Sequence, residues 1–130
     1  MSTNDTTAKS WRPATRQLHA GLERTEYGET SEAIFLTSGF VYDNAEQAEK
    51  TFTGEVTHYQ YSRFGNPTVA ALENRLADLE GAEACIATST GMGAVSSALL
   101  SHVKAGDRVV ASRALFGSCH WIVANLLPRY

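Results

Sequence analysis

Cysteine is scarce: Cys85 and Cys119 are the only two. Two cysteines cannot build a disulfide framework, so a reducing compartment, the cytoplasm, is expected. No apolar run approaches the length needed to span a bilayer, and the polar stretch Met1 to Lys9 lacks the apolar core of a signal peptide. Neither charge sign dominates. A net charge of −3 and a pI near 5.8 give no reason to expect nucleic acid or an anionic membrane as partner. The four histidines, His19, His58, His102 and His120, are scattered without metal-ligand spacing, so no metal is expected. Cys119 and His120 are neighbours on an expected helix and point in different directions, which argues against a Cys/His dyad. No Gly-x-Ser-x-Gly elbow and no internal repeat occurs, and there are only three lysines, Lys9, Lys50 and Lys104.

What is present is the composition of a globular domain, with 43% hydrophobic and 19% charged residues over 130 positions. The chain is organised around Ala84 to Ala94, Ala-Cys-Ile-Ala-Thr-Ser-Thr-Gly-Met-Gly-Ala. Ala84 to Ala87 reads as a short buried strand, Thr88 to Gly91 as a turn, and Ala94 to Val103 as a helix. A helix that starts at the end of a strand offers its first backbone N–H groups and its positive dipole end to an anion. Gly91 permits close approach, and Ser89 and Thr90 add hydroxyls. This pattern fits a phosphate cup; it equally fits the compact strand–glycine–helix turn of any α/β domain. The dinucleotide fingerprint is half met, because Ser96 stands where a third glycine is required, and no P-loop lysine follows.

Residues 1–12 are polar and expected to be loosely held. From Arg16 to Thr53 there is little helical period beyond a turn at Asn44 to Thr51, yet the segment carries Leu18, Leu22, Ile34, Phe35, Leu36, Phe40, Val41, Tyr42 and Phe52. So much apolar surface needs a cover, either a partner subunit or the chain's own domain. His58 to Thr68 follows, and Arg63 offers a planar fork suited to phosphate or carboxylate; the alternative is a surface arginine in an aromatic-rich turn. Asn66 and Pro67 open a helix as N-cap and first residue, Leu72, Leu76 and Leu79 line one face, and Gly81 ends it as core scaffolding. Lys104 to Asp107 is a connecting turn and Arg108 to Ser112 a second strand, which implies a right-handed parallel crossover. Phe116 then falls at the ligand-bearing end of the sheet, either against a planar cofactor or as an ordinary core ring. A last helix is expected from Ser118 to Leu127, stopped by Pro128.

The runs Tyr61-Ser62-Arg63-Phe64-Gly65-Asn66-Pro67-Thr68 and Ser89-Thr90-Gly91-Met92 together resemble the Cys/Met-metabolism family of pyridoxal phosphate enzymes, from about Thr15 to Tyr130. The resemblance implies the N-terminal part of an aspartate-aminotransferase-like (type I) fold, with residues 1–60 as an arm on a neighbouring subunit and 61–130 as the first part of the cofactor-binding large domain. It implies pyridoxal 5'-phosphate as cofactor, a small amino-acid substrate and a homotetramer. Gly91 and Met92 would give N–H groups to the phosphate, with Ser89 and Thr90 beside them. Tyr61 and Arg63 would reach it from a neighbouring subunit. Phe116 would stack on the pyridine ring where the family usually has tyrosine, so the stacking role survives without the hydroxyl. The stretch Phe116 through Trp121 to Tyr130 looks most like the O-succinylhomoserine sulfhydrylase branch, with cystathionine γ-synthase, O-acetylhomoserine sulfhydrylase and methionine γ-lyase as alternatives. No lysine here has the family's Schiff-base context, so no catalytic residue is expected within these 130 positions. The chain reads as the N-terminal portion of such an enzyme, inactive alone; on its own it would be a non-catalytic anion-binding or assembly module.

Overall fold

The computed structural model describes residues 10–130. The looseness expected of residues 1–12 therefore lies almost wholly outside the described residues. The chain divides into one unit ending at Ile86 and another running from Ala87 to Tyr130.

In the first unit α1 (Pro13–His19) begins with proline at its start. It was not evident in the sequence, because seven residues make a marginal helix in isolation. Its tether is distant: Arg16 Nε donates to Asp78 Oδ2 at 2.8 Å, and Nη2 donates to the Asp78 carbonyl. Helix α2 (Ala45–Phe52) fulfils the expected turn. Asn44 Oδ1 accepts the Gln47 N–H at 2.8 Å while Gln47 Oε1 accepts the Asp43 N–H at 2.6 Å, a reciprocal cap. Helix α3 (Pro67–Glu80) starts and stops where its residues dictate: Asn66 Oδ1 accepts the Thr68 N–H at 2.9 Å, and Gly81 turns left-handed at φ 64°.

The leucine face of α3 is not the core scaffold expected of it. Leu72 and Leu76 remain exposed, and Ala77 is the buried residue of the helix. The packed face instead carries Ala71, Asn74, Arg75 and Asp78, which meet the arm through polar anchors and close backbone approach. Arg75 Nε donates to the Ala20 carbonyl at 2.9 Å and its Nη2 pairs with Glu32. A Cβ on Gly21, which has φ +71°, would lie 2.8 Å from the Arg75 nitrogen and 2.9 Å from the Ala71 oxygen. One side of the arm is thus fastened to its own unit, while Leu18, Ile34, Leu36 and Val41 stay exposed.

In the second unit α4 (Gly91–His102) starts three residues earlier than the apolar pattern suggests. Helix α5 (Gly117–Trp121) passes into a π turn (Ile122–Leu126) and a 3-10 turn (Leu127–Arg129). Pro128 sits at the start of that last turn, where a missing N–H costs little, so it does not stop the helix as expected. Ile122 is the buried centre of this segment.

The expected strands at 84–87 and 108–112, and with them the parallel crossover, are not formed. A strand exists only when a neighbour takes its N–H and C=O groups. Among the described residues the one β-bridge joins Gly39 and Tyr61. Ile86 and Val110 consequently stay 83% and 88% exposed.

Candidate functional site

The turn before α4 is built from side chain to backbone. Thr88 Oγ1 donates to the Thr90 carbonyl at 2.8 Å, and Thr90 Oγ1 accepts the Gly93 N–H at 2.9 Å as the N-cap. Gly93 is therefore satisfied, and Ala94 N–H closes the first helical bond to the Thr90 carbonyl at 3.0 Å. The N–H groups of Gly91 and Met92 have no helical acceptor by position and face the helix's N-terminal end. A Cβ built on Gly91 would meet no atom within 4 Å, so the flank of the turn at Gly91 is open. Ser89 is exposed beside them, and the Thr90 hydroxyl keeps its proton for a further acceptor.

Phe116 immediately precedes α5 and is 72% exposed. Within this unit a groove of about 500 Å³ runs from Met92 and Ser96 on α4 to Gly117, Ser118 and Trp121 on α5. The cup and the residue following Phe116 therefore border one cleft.

Tyr61 and Arg63 belong to the first unit, on a tight turn in which the N–H groups of Phe64 and Gly65 donate to the Tyr61 carbonyl at 2.8 and 3.1 Å. The turn is braced by the arm. Phe40 N–H bonds to the Gln60 carbonyl and Ser62 N–H to the Ser38 carbonyl, each at 3.0 Å. Buried Asn66 donates to the Phe35 carbonyl at 3.0 Å and to Ser62 Oγ at 2.9 Å. The Arg63 guanidinium rests against the Tyr61 ring and forms no ion pair among the described residues.

Within the second unit, two backbone N–H groups and two hydroxyls make a donor set of the kind a helix N-terminus offers an anion; Arg63, which forms no ion pair among the described residues, belongs to the first unit. The sequence marks Thr88 only as part of the turn and Gly93 only as half of a glycine fingerprint, not as residues that shape the cup. Gly93 carried a signal, as the second glycine of Gly-Met-Gly, and the structure supplies its reason: a Cβ there would sit 2.9 Å from Thr90 Oγ1. Sequence reasoning also read Asn66 as a cap alone. No group of three metal-ligating side chains is found, and no helix is long and apolar enough to cross a membrane, both among the described residues.

Residues 14–130 match the family of Cys/Met metabolism PLP-dependent enzymes. The chain is 51% identical over 117 residues to an O-succinylhomoserine sulfhydrylase of Mycobacterium tuberculosis, covering 90% of this chain and 29% of that protein. It is 43% identical over 122 residues to an L-methionine gamma-lyase of Fusobacterium nucleatum, covering 94% and 31% respectively. A Campylobacter jejuni crystal structure that carries N'-pyridoxyl-lysine-5'-monophosphate superposes with a TM-score of 0.85 at 28% identity, covering 92% of this chain and 30% of that one. The chain thus spans about 29% of the length of its sulfhydrylase relative.

Proposed function

Because the chain belongs to the Cys/Met metabolism family of PLP-dependent enzymes and has the N-terminal part of their type I fold, we propose that the complete protein is an O-succinylhomoserine sulfhydrylase. In this reading the succinyl group of O-succinylhomoserine is replaced by a sulfur nucleophile to give homocysteine, a step in methionine biosynthesis. The observation that carries the substrate choice is the 51% identity to a sulfhydrylase of that specificity, against 43% to a methionine gamma-lyase.

The cofactor is pyridoxal 5'-phosphate, which supplies an electron sink for carbanions next to the amino group when it is bound. This chain's residues anchor and orient it. The N–H groups of Gly91 and Met92 and the hydroxyls of Ser89 and Thr90 hold the phosphate. Tyr61 and Arg63 reach the phosphate of a neighbouring subunit, and Phe116 lies against the ring. Residues 10–60 form an arm on that neighbour and 61–130 the first part of the large domain, in a cytoplasmic homotetramer. Lys50 is engaged with Glu46 at 2.6 Å and Lys104 lies in an exposed turn, so neither suits carrying the cofactor, and the 130 residues alone are inactive.

The test is a comparison of substrates on the complete protein. Homocysteine formation from O-succinylhomoserine and sulfide should exceed that from O-acetylhomoserine by at least tenfold, about 1.4 kcal/mol of transition-state preference. Faster breakdown of methionine than either replacement reaction would assign the lyase activity instead.

A further inference from the structure

We infer that Phe64 is a positioning residue for Arg63, holding its guanidinium ready for an oxyanion. The inference deepens the reading above and rests on Arg63 being a phosphate anchor.

Arg63 stands at the tip of a turn whose backbone has little freedom. The residues on both sides are fastened: Ser62 through its N–H to Ser38 and its hydroxyl to Thr37, and Asn66 through its amide to Phe35. The fixed backbone leaves the long arginine side chain as the movable part. Its guanidinium carbon lies 4.6 Å from the Tyr61 ring centroid and 5.2 Å from that of Phe64, both within cation–π reach. Phe64 is 80% exposed within these residues, and the arm that braces the turn does not cover it. A phenyl ring offers the guanidinium no hydrogen-bond acceptor, so contact with it uses up none of the five N–H donors. Two rings from one turn therefore narrow the rotamers of Arg63 while leaving its donors available. A carboxylate partner would also have fixed the side chain, but would have occupied the fork and cancelled its charge.

Binding to the complete protein freed of cofactor tests this, using pyridoxal phosphate and, as probe without the phosphate, pyridoxal. Phe64→Leu should weaken pyridoxal phosphate about two- to fivefold, the range of an exposed cation–π contact, and leave pyridoxal affinity unchanged. Phe64→Trp should restore parental affinity, because its ring face attracts cations most strongly. In an Arg63→Ala background Phe64→Leu should have no further effect. Equal weakening of both ligands by Phe64→Leu, or an effect that persists without Arg63, overturns the inference and leaves Arg63 as an anchor. So does an unchanged affinity in Phe64→Leu when Arg63→Ala is weakened. If Arg63→Ala binds pyridoxal phosphate as the parent does, the anchor reading itself falls, and the inference with it.

Discussion

Thr90 and Gly93 are locked to each other: the threonine hydroxyl oxygen takes the glycine's N–H at 2.9 Å, and the same oxygen occupies the position 2.9 Å from where a Cβ on Gly93 would stand. Gly93→Ala should therefore expel the Thr90 side chain from its capping rotamer. Loss of such a cap costs about 0.5–2 kcal/mol. Gly91→Ala, whose Cβ meets nothing within 4 Å, should fold normally. Thermal unfolding of the complete protein without cofactor separates the two: the Gly93 variant should melt lower, the Gly91 variant close to the parent.

The arm is tested at Gly21. Alanine there faces both a left-handed backbone at φ +71° and the α3 backbone at 2.8 Å. We expect Gly21→Ala to destabilise by more than about 1 kcal/mol, read from the urea midpoint. Gly28→Ala, at φ +65° with no neighbour within 4 Å, carries only the backbone penalty and should lose less.

Tyr61 and Arg63 yield a complementation experiment. If they serve a neighbour's cofactor, mixing Arg63→Ala protomers with protomers that lack the cofactor-bearing lysine should rebuild some complete sites. Arg63→Ala alone should weaken cofactor binding by about 1.5–3 kcal/mol, the worth of a hydrogen bond to a charged group. Activity that fails to return despite proven subunit exchange would put Arg63 in its own subunit's site.

Phe116 has no titratable group, so its expected work is stacking, worth about 0.5–1.5 kcal/mol beyond buried area. Phe116→Leu should loosen the cofactor by about tenfold or less and leave the shape of the pH–rate curve unchanged. Phe116→Tyr should be tolerated. An unaltered cofactor affinity in the leucine variant would make this ring a bystander.

Glu29 gives a pH dependence. The Thr25 hydroxyl donates to its carboxylate at 2.6 Å and the Thr25 N–H at 2.7 Å, holding the carboxyl below its ordinary value of 4.5. A depressed carboxyl stabilises the fold above its ordinary value, and that contribution disappears as pH falls through the lowered one. Amide exchange in the 24–29 loop should therefore speed up below pH 4.5 relative to distant amides. Thr25→Val removes the hydroxyl donor and lets the carboxyl return toward its ordinary value, so the acceleration should be smaller in that variant.

What could be read in advance was local. Asn66-Pro67 and Gly81 bound α3 because capping and left-handed turning are decided by adjacent residues, whereas α4 begins at Gly91, three residues before the apolar pattern, because the Thr90 cap and not the apolar period sets its start. Helix α1 was hidden because its tether, Asp78, lies 62 residues from Arg16. The stretch Ala84 to Ala87 has strand-like residues, yet its pairing depends on chain elsewhere, which no local pattern supplies. The bracing of Arg63 was equally illegible, since Phe35 and Thr37 meet Asn66 and Ser62 only after the arm has folded back.

The unladdered stretches 84–87 and 108–112 have a consequence for synthesis. As the chain leaves the ribosome from its N-terminus, their backbone groups emerge with Ile86 and Val110 uncovered and no internal ladder to join. Any strand that pairs with them is not a hairpin neighbour, and such non-local pairing is slow. During that interval each stretch is an open template for a second nascent copy. The yield of folded protein should therefore fall as its production is accelerated, and recover at low temperature or with added holdase chaperone.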